Sequence, residues 1–313
     1  MKKQHVKNKI IAFLLFFSAL SAQAKERIEP VPYGDFESWT VRYIKESALI
    51  GGKTKALYMI GPTDTIRSNK PFTPSPESPW GSSNAHARAV GIEKVSLSVT
   101  PERRGEGWCC RLENVLEVIT AIGIDLKALA AGSVYTGRLV DPVGLKQGAD
   151  PVSGIDMGIP FKGRPKALLL DYKAYIQPNG QVVHADAGTR VKNVPGHDKG
   201  QITVLLQHRW EEDGHIYAYR VATAHEMISR TTPSWVNDHR VPIHYSPVGS
   251  ISDHPINAHN TRGQMVPVEE KAFRADLEPT HIVILIGAGS MKAFTGCPGN
   301  IVWCDNIRLV FED

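Results

Sequence analysis

The stretch Val302-Trp303-Cys304-Asp305-Asn306-Ile307-Arg308-Leu309-Val310-Phe311 ends the 313-residue chain, and Gly34-Asp35-Phe36-Glu37-Ser38-Trp39 stands near its beginning. Side chains of a strand alternate between two faces, so the closing stretch predicts one mostly apolar face. That face consists of Trp303, Asp305, Ile307, Leu309 and Phe311. An all-β sandwich commonly pairs its first and last strands, and we expect these two segments to meet in that way.

Alternation with a period of two recurs along the chain, whereas helical periodicity is scarce. The predicted strands cover residues 40–44, 56–60, 95–100, 115–121, 167–176, 201–209, 215–222, 281–286 and 301–311. Glu212-Asp213-Gly214 predicts a hairpin turn between two of them. Residues 125–131 and 225–229 are predicted to form short helical turns. The predicted core face of the fifth strand is Leu168, Leu170, Tyr172, Ala174 and Ile176.

No repeat, linker or composition break divides residues 25–313. About 290 residues is long for one domain, but all-β sandwiches reach about 250 in one piece. We therefore predict one antiparallel β-sandwich of the jelly-roll type over residues 25–313, with long decorated loops.

Residues 1–24 are predicted to be a signal peptide. Four lysines precede an apolar run, residues 10–20, that is too short to span a bilayer, and Ala22-Gln23-Ala24 is a small-x-small cleavage site. No cysteine precedes Cys109, so a lipoprotein attachment cysteine is absent. We expect an exported protein, periplasmic or extracellular, without a transmembrane anchor.

The formal net positive charge of the chain comes from residues 1–24. The formal net charge is +4, and the four lysines of residues 1–24 account for all of it. Phosphate binding depends on clustered Lys and Arg side chains, and the neutral remainder of the chain has no such excess. Nucleic acid is therefore not expected as a partner. As a separate expectation, the protein is a monomer.

The four cysteines allow several arrangements. Cys297 and Cys304 flank the turn Pro298-Gly299-Asn300, where a disulfide is geometrically possible in an oxidising compartment. A bridge from Cys109 or Cys110 to one of them is an alternative, as are buried free thiols. No CxxC or HxxxH spacing accompanies the cysteines, so a zinc site is not expected.

Several blocks of the sequence resemble one family. They are Gly132-Ser133-Val134-Tyr135-Thr136-Gly137, residues 158–168, Asp171-Tyr172-Lys173, residues 279–284, Gly289-Ser290, Phe294-Thr295-Gly296 and Asp305-Asn306-Ile307-Arg308-Leu309. In this order they are similar to the family named putative carbohydrate metabolism domain. The resemblance implies a galactose-binding-like jelly roll and a connection with glycans, without an established reaction. Residues 286–290 and 249–270 depart from the family pattern.

Sugar binding requires flat apolar rings with planar polar groups beside them. The aromatic candidates are Trp80, Trp108 and Trp235, and the alternative for each is packing over the rim of the sandwich. The polar candidates are Arg164, Asp171, Lys173 and Tyr175. Their alternative is a solvated sheet surface with a weak ion pair. An oligosaccharide or polysaccharide is the expected partner.

Hydrolysis of a glycan would require two carboxyl groups, one of them kept protonated. Asp171 and Glu226 are candidates, although no spacing in the sequence singles out a pair. No cofactor is required, and the resemblance implies at most a structural calcium near the paired termini, with Glu37 and Asp305 as ligands. Their alternative role is hydrogen bonding of loop amides. Three function classes stay open: a glycan-binding or glycan-processing accessory protein, a glycoside hydrolase, and a structural surface or adhesion protein.

Overall fold

The computed structural model describes residues 25–89, 91–121, 123–247 and 256–312. The predicted signal peptide, residues 1–24, lies outside the described residues. The strands of the first half are β1 (Glu26–Pro30), β2 (Trp39–Lys45), β3 (Thr54–Ile60), β4 (Asp64–Arg67), β5 (Trp80–Ser82), β6 (Ala85–Ala89), β7 (Ile92–Ser96), β8 (Val99–Arg104), β9 (Gly107–Glu113), β10 (Val115–Ala121), β11 (Ile124–Ala130), β12 (Ser133–Leu139), β13 (Ile155–Met157) and β14 (Ile159–Pro160).

The second half contributes twelve further strands. They are β15 (Ala167–Tyr175), β16 (Val183–His184), β17 (Asp186–Gly188), β18 (Lys192–Asn193), β19 (Gly200–Glu212), β20 (His215–Ile228), β21 (Val236–Pro242), β22 (Asn257–His259), β23 (Met265–Phe273), β24 (His281–Gly287), β25 (Thr295–Gly296) and β26 (Ile301–Glu312). Helical structure in the described ranges is one short helix, α1 (Leu145–Ala149), and 3₁₀ turns at Ala48–Ile50 and Pro151–Gly154. No helix in these ranges has the length and apolarity needed to cross a membrane.

Two large sheets form the sandwich. The six-stranded sheet has the order β21-β15-β26-β9-β8, with β1 added to β26. The nine-stranded sheet has the order β14-β24-β19-β20-β23-β22-β13-β12-β5, and a further pairing of β12 with β24 makes seven of its strands a closed circuit. Most ladders are antiparallel, the exceptions being β2 with β4, β13 with β22 and β20 with β23. The predicted antiparallel, all-β sandwich is confirmed.

One apolar core fills the space between the two sheets. The six-stranded sheet contributes Leu168, Leu170, Ala174, Val302 and Cys304, and the nine-stranded sheet contributes Ile202, Val204, Leu206, Ile282, Ile284 and Ile286. Tyr172 and Ile176 also pack there, which confirms the predicted core face of the fifth strand. Each Leu, Ile or Val side chain among them stabilises the fold by roughly 1.5–3 kcal/mol when it leaves water.

The first and last strands of the described chain pair with each other. β1 is antiparallel to the end of β26, with Glu26 opposite Glu312. The pairing continues past β1, because Val31 donates its amide to the Ile307 carbonyl and the Ile307 amide donates to Gly34, both at 2.9 Å. The expected closure is confirmed, with the pairing strand lying just before the quoted segment of residues 34–39.

The predicted faces of β26 are partly wrong, because this strand contains a bulge. Leu169 lies opposite Arg308 but Asp171 lies opposite Asp305, so β26 has one extra residue between these pairs. Asn306 has a φ of 52°, in the left-handed region. A bulge shifts the phase of alternation, and the residues facing the core change from Val302 and Cys304 to Ile307, Leu309 and Phe311. Trp303 and Asp305 therefore face outward.

The predicted hairpin is confirmed, whereas both helical turns are wrong. β19 and β20 pair from Gly200 to Glu212, and the turn places Asp213 and Gly214 in the left-handed region. Residues 125–131 form most of β11, which pairs along its whole length with β10. Residues 225–228 extend β20. Cross-strand pairing outweighs the weak helical pattern in both stretches.

All four cysteines are buried free thiols, so the predicted Cys297–Cys304 disulfide is wrong for this structure. Cys304 lies inside β26 and faces the core, beyond the turn that carries Cys297. Its direct cross-strand neighbour is Cys110 on β9.

Candidate functional site

Two carboxylates lie side by side on the outer face of the six-stranded sheet. Asp171 on β15 is directly opposite Asp305 on β26, and each is only 5% exposed. Arg104, at the end of β8, places Nη1 2.6 Å from Asp305 Oδ2 and 2.9 Å from Asp171 Oδ2. A single guanidinium nitrogen therefore bridges two buried carboxyl groups.

Two bulges position Asp171. β26 bulges at Asn306, as described above, and β21 bulges at Asp238, which has a φ of 51°. The Asp238 amide donates to Asp171 Oδ1 at 2.8 Å, and Asn306 Nδ2 donates to Asp171 Oδ2 at 2.9 Å. Bulges of this kind re-aim side chains next to functional sites. Here they aim two donors at one carboxylate.

The surroundings move the pKa values of the two carboxyl groups in opposite directions. Burial by itself would raise the pKa of Asp171, but the hydrogen bonds from Asn306, the Asp238 amide and Arg104 outweigh it and lower that pKa. Burial also raises the pKa of Asp305, and Arg104 offsets this only in part. Such a divergence between neighbouring acids is typical of acid and base pairs in enzymes.

A tryptophan and planar polar groups surround this pair. The ring of half-buried Trp235 lies 4.0 Å from the Arg104 guanidinium carbon, and Arg104 Nη2 donates to Asn237 Oδ1 at 2.7 Å. Arg308 Nη2 lies 2.8 Å from the exposed Asp238 carboxylate. A flat ring beside amide, carboxylate and guanidinium groups is the arrangement that sugars require.

The same outer face continues along β15. Lys173 lies opposite Trp303 on β26 and holds its Nζ 4.4 Å from the centre of that ring. Trp303 is buried, and its indole nitrogen has no hydrogen-bond partner among the described residues. Tyr175, two residues further on, is 41% exposed. Asp171, Lys173 and Tyr175 therefore form one row of polar side chains, as alternation predicts, whose exposure rises from buried Asp171 through half-buried Lys173 to exposed Tyr175.

Trp108 lies on the other face of the β8–β9 hairpin, away from Arg104. Arg103 is opposite Trp108, whereas Arg104 is opposite Gly107, so Trp108 and Arg104 point to opposite sides. Both oxygens of the Glu37 carboxylate accept the Trp108 amide, at 3.1 and 3.2 Å. A side chain at Gly107 would overlap that carboxylate, so only glycine allows this approach.

The predicted calcium ligands do not fit a calcium site. Asp305 contacts the Arg104 guanidinium, and Glu37 accepts a backbone amide. Calcium is normally held by six to eight oxygen ligands. Over the described ranges, no group of three or more His, Cys, Asp or Glu side chains is placed to hold a metal ion. The alternative role predicted for Glu37, hydrogen bonding of a loop amide, is the one observed.

Trp80 lies in the core and not on an exposed loop. It is 4% exposed, packs within 5.7 Å of the Phe36 ring, and donates Nε1 to the Pro32 carbonyl at 2.9 Å. No face of this ring is open to a sugar. The rim-packing alternative applies to Trp80, because strand β5 joins the nine-stranded sheet beside β12.

Arg164 and Glu226 also lie apart from the carboxylate pair. Arg164 donates to the carbonyls of Ala275 and Leu277 and stacks on Tyr245 at 4.4 Å, which fixes a loop. Glu226, on β20, contacts His239 Nε2 at 2.8 Å. The predicted pair of Asp171 with Glu226 is not brought together by any direct contact.

The sequence patterns did not predict Arg104 as a site residue, and they did not predict a second aromatic surface. Alternating residues on both sides of Gly105-Glu106 are a hairpin pattern, which would have indicated the β8–β9 pair, although not its place beside β26. The second surface contains Trp210, which is half-buried on the β19–β20 hairpin. It lies 5.6 Å from Tyr217 and 4.7 Å from Tyr219, and cross-strand pairing of these positions could have indicated the cluster.

Comparison with solved structures finds similar chains. One, from Bacteroides thetaiotaomicron and named a putative glycoside hydrolase, has a TM-score of 0.50 and 16% identity, and the match covers 87% of this chain and 71% of the other. Another of the same name, from Bacteroides vulgatus, has a TM-score of 0.44 and 15% identity, over 90% and 94% of the two chains. No protein-family model matches the sequence, and no curated protein sequence matches it either. The resemblance to the carbohydrate metabolism domain family is thus not supported by a family model, and the likeness to the first structure is one of fold.

Proposed function

We propose that this chain is an exported glycan-binding protein whose site is the outer face of the six-stranded sheet around Trp235, Arg104 and the pair Asp171 and Asp305. The observation that carries the proposal is the half-buried Trp235 ring, 4.0 Å from Arg104 and flanked by Asn237 and Asp238. The likeness in fold to a protein named a putative glycoside hydrolase supports a carbohydrate-related function.

Binding fits this geometry better than hydrolysis because Arg104 covers the carboxylates. Both acids are almost fully buried, and the same guanidinium nitrogen contacts both of them. A substrate would have to displace Arg104 before it could reach either oxygen. Trp235, Asn237 and Asp238, by contrast, offer surface to a ligand without rearrangement.

Hydrolysis is the second candidate, and the divergent pKa values favour it. Asp305, with a raised pKa, would serve as the proton donor, and Asp171, with a lowered pKa, as the ionised nucleophile. The Oδ2 atoms of Asp171 and Asp305 both lie within 2.9 Å of the same Arg104 nitrogen. The distance between these two oxygens is therefore less than twice 2.9 Å. This separation is compatible with the roughly 5–5.5 Å of retaining glycosidases.

Affinity electrophoresis against a panel of neutral and acidic polysaccharides tests the proposal. Trp235→Ala should abolish most of the retardation of the native chain while the free energy of unfolding changes by less than about 1 kcal/mol. Tyr43→Ala is the matched control, because Tyr43 also carries an arginine, Arg67, 4.5 Å from its ring centre, but lies in the separate β3-β2-β4 sheet. Equal retardation of all three proteins, or none with any polysaccharide, would overturn the proposal.

Release of reducing sugar, measured on the same panel, separates the two candidates. Release that disappears in both Asp171→Asn and Asp305→Asn supports hydrolysis. Retardation without release in the native chain supports binding alone. Trp210→Ala, run in parallel, shows whether the second aromatic surface contributes.

A further inference from the structure

A cleft of about 330 Å³ opens at one end of the sandwich. It lies where β15 and β20 end and β19 begins, between residues 176–180, 197–199 and 229–231, with Cys297 at its base. Sites for small ligands usually measure about 300–1,000 Å³, so this space can accept one sugar residue. The cleft is separate from the carboxylate pair on the sheet face.

Three basic side chains line this cleft without partners. His197, Lys199 and Arg230 make no ion pair and no side-chain hydrogen bond with any residue in the described ranges. Elsewhere on the protein most arginines are paired, as Arg104, Arg220 and Arg274 are. Two fixed positive charges facing one concave space indicate a place for an anion.

The carboxylate in the cleft makes no ion pair with these cations, because four amide donors occupy its oxygens. Asp198 is 4% exposed. Its Oδ1 accepts the amides of Lys199 and Ser290, each at 3.0 Å. Its Oδ2 accepts Asn114 Nδ2 at 2.8 Å and the Cys297 amide at 2.9 Å. Four donors thus hold Asp198 as a support that orders the walls of the cleft.

We propose that this cleft binds an acidic sugar residue, with Lys199 and Arg230 holding its carboxylate or sulfate group. The guanidinium fork of Arg230 matches a planar or tetrahedral anion, and Lys199 adds a second charge. The Ser229 hydroxyl and the Gln177 amide, which also line the cleft, are donors for ring hydroxyls. This inference rests on the proposed glycan-binding function and specifies the class of glycan as anionic.

The cleft and the Trp235 surface can be tested separately. Asp171 and Gln177 are six residues apart along and just beyond strand β15, roughly 20 Å at the rise of an extended chain. Substitutions at that separation usually have independent effects. A variant of the cleft therefore should not alter the Trp235 surface.

Isothermal titration calorimetry with three related sugars provides the test. The probes are galacturonate, galactose 6-sulfate and galactose, which share a ring and differ in the group at C6. The native chain should bind at least one of the two acids at least tenfold more tightly than galactose. The double variant Lys199→Met, Arg230→Gln should lose at least tenfold in affinity for that acid.

The control variant removes the same charges from a neighbouring surface. Arg190 and Lys192 are exposed and lie outside the cleft, so Arg190→Gln with Lys192→Met should bind the acid within twofold of the native chain. An equal loss in both double variants would show a general field effect and overturn the inference. Equal affinity of the native chain for galactose and both acids would also overturn it.

The outcome distinguishes this inference from the proposed function. If polysaccharides retard the native chain through Trp235 but neither acid binds in preference to galactose, the cleft proposal fails and the glycan-binding proposal stands. If no glycan of any kind interacts, both fail. Selective binding of galactose 6-sulfate, or of galacturonate, identifies which anion the cleft prefers.

Discussion

Asp171 lies directly opposite Asp305 on the neighbouring strand, and one nitrogen of Arg104 contacts both carboxylates. Like charges this close repel each other, so the arrangement depends on the cation between them. A buried ion pair adds little stability compared with apolar packing, but removing one partner leaves uncompensated buried charge. The stability of this face should therefore depend strongly on Arg104.

Arg104→Ala should lower the free energy of unfolding by roughly 3 kcal/mol at pH 7. Arg103→Ala is the matched control: Arg103 is exposed, stacks on Trp108 at 4.1 Å, and should contribute less than about 1 kcal/mol. Urea unfolding measures both. The difference between Arg104→Ala and the native chain should shrink as the pH falls below about 4, because the carboxyl groups are then progressively protonated, Asp305 before Asp171. Equal costs for the two arginines would contradict this account.

His281 should make the fold less stable in mild acid. Burial, together with the nearby Arg209 charge, lowers the pKa of His281 to about 4. The unfolded chain takes up this proton near pH 6.5, so the stabilisation is complete above that pH and is lost as the pH falls toward 4. His281→Gln should flatten the dependence of stability on pH in this window.

The control for His281 is the exposed His215. His215→Gln should keep the native dependence of unfolding free energy on pH between 4 and 7. Chemical denaturation at half-unit steps of pH provides the measurement. A native slope that persists in His281→Gln would assign the acid sensitivity to other groups, such as His225, whose pKa burial also lowers.

Folding in an oxidising buffer should link Cys110 to Cys304 and leave Cys297 free. The first two are direct cross-strand neighbours, both fully buried, and Cα atoms of such neighbours lie within the span of a disulfide. Oxidised glutathione would supply the oxidising equivalents, and the bond should add roughly 2–4 kcal/mol of stability. Peptide mapping without reduction gives the connectivity.

Cys297→Ala serves as the control for that linkage and should leave it intact. A peptide that joins Cys297 to Cys304 would instead restore the turn-spanning bond expected from the sequence. Four free thiols after oxidative folding would show that Cys110 and Cys304 become buried before they can be oxidised.

Gly132 should tolerate no side chain. A Cβ there would lie 2.7 Å from the carbonyl oxygens of Glu113 and Ser98 and would overlap the Glu113 amide nitrogen. Gly132→Ala should therefore cost roughly 2–3 kcal/mol, since backbone must move. Gly148 in α1 has no neighbour within 4 Å, and Gly148→Ala should be neutral or stabilise by about 0.4–1 kcal/mol. Thermal unfolding of the two variants makes the comparison.

Alternation in the sequence predicted the fold well where a strand is buried on one face and extends regularly. The face of Leu168, Leu170 and Ala174 is an example, because burial of that face selects apolar residues at every second position. The same rule failed in β26, where the bulge at Asn306 exchanges the faces. Asn tolerates the left-handed region without requiring it, so the local sequence does not locate the bulge.

The candidate site was predicted only in part because it is assembled from distant segments. Asp171 and Trp235 were identified from their own strand and loop, but Arg104 stands far from both in the sequence. Only the sheet order, in which β9 alone separates β8 from β26, brings the Arg104 side chain to Asp305. Trp80 was misplaced for the complementary reason: the residues that bury it, such as Phe36, come from another part of the chain.

The closed circuit of strands in the larger sheet also bears on when this protein can fold. Strand β12 reaches its partner β24 only when Ser133 meets Gly287, about 150 residues later in the chain. During synthesis β12 therefore cannot pair with β24 until the residues between them have been made. This contact closes a very long loop. We expect folding to be completed only after β24 has been synthesised, and the unpaired edge of β12 to be the part that needs shielding until then.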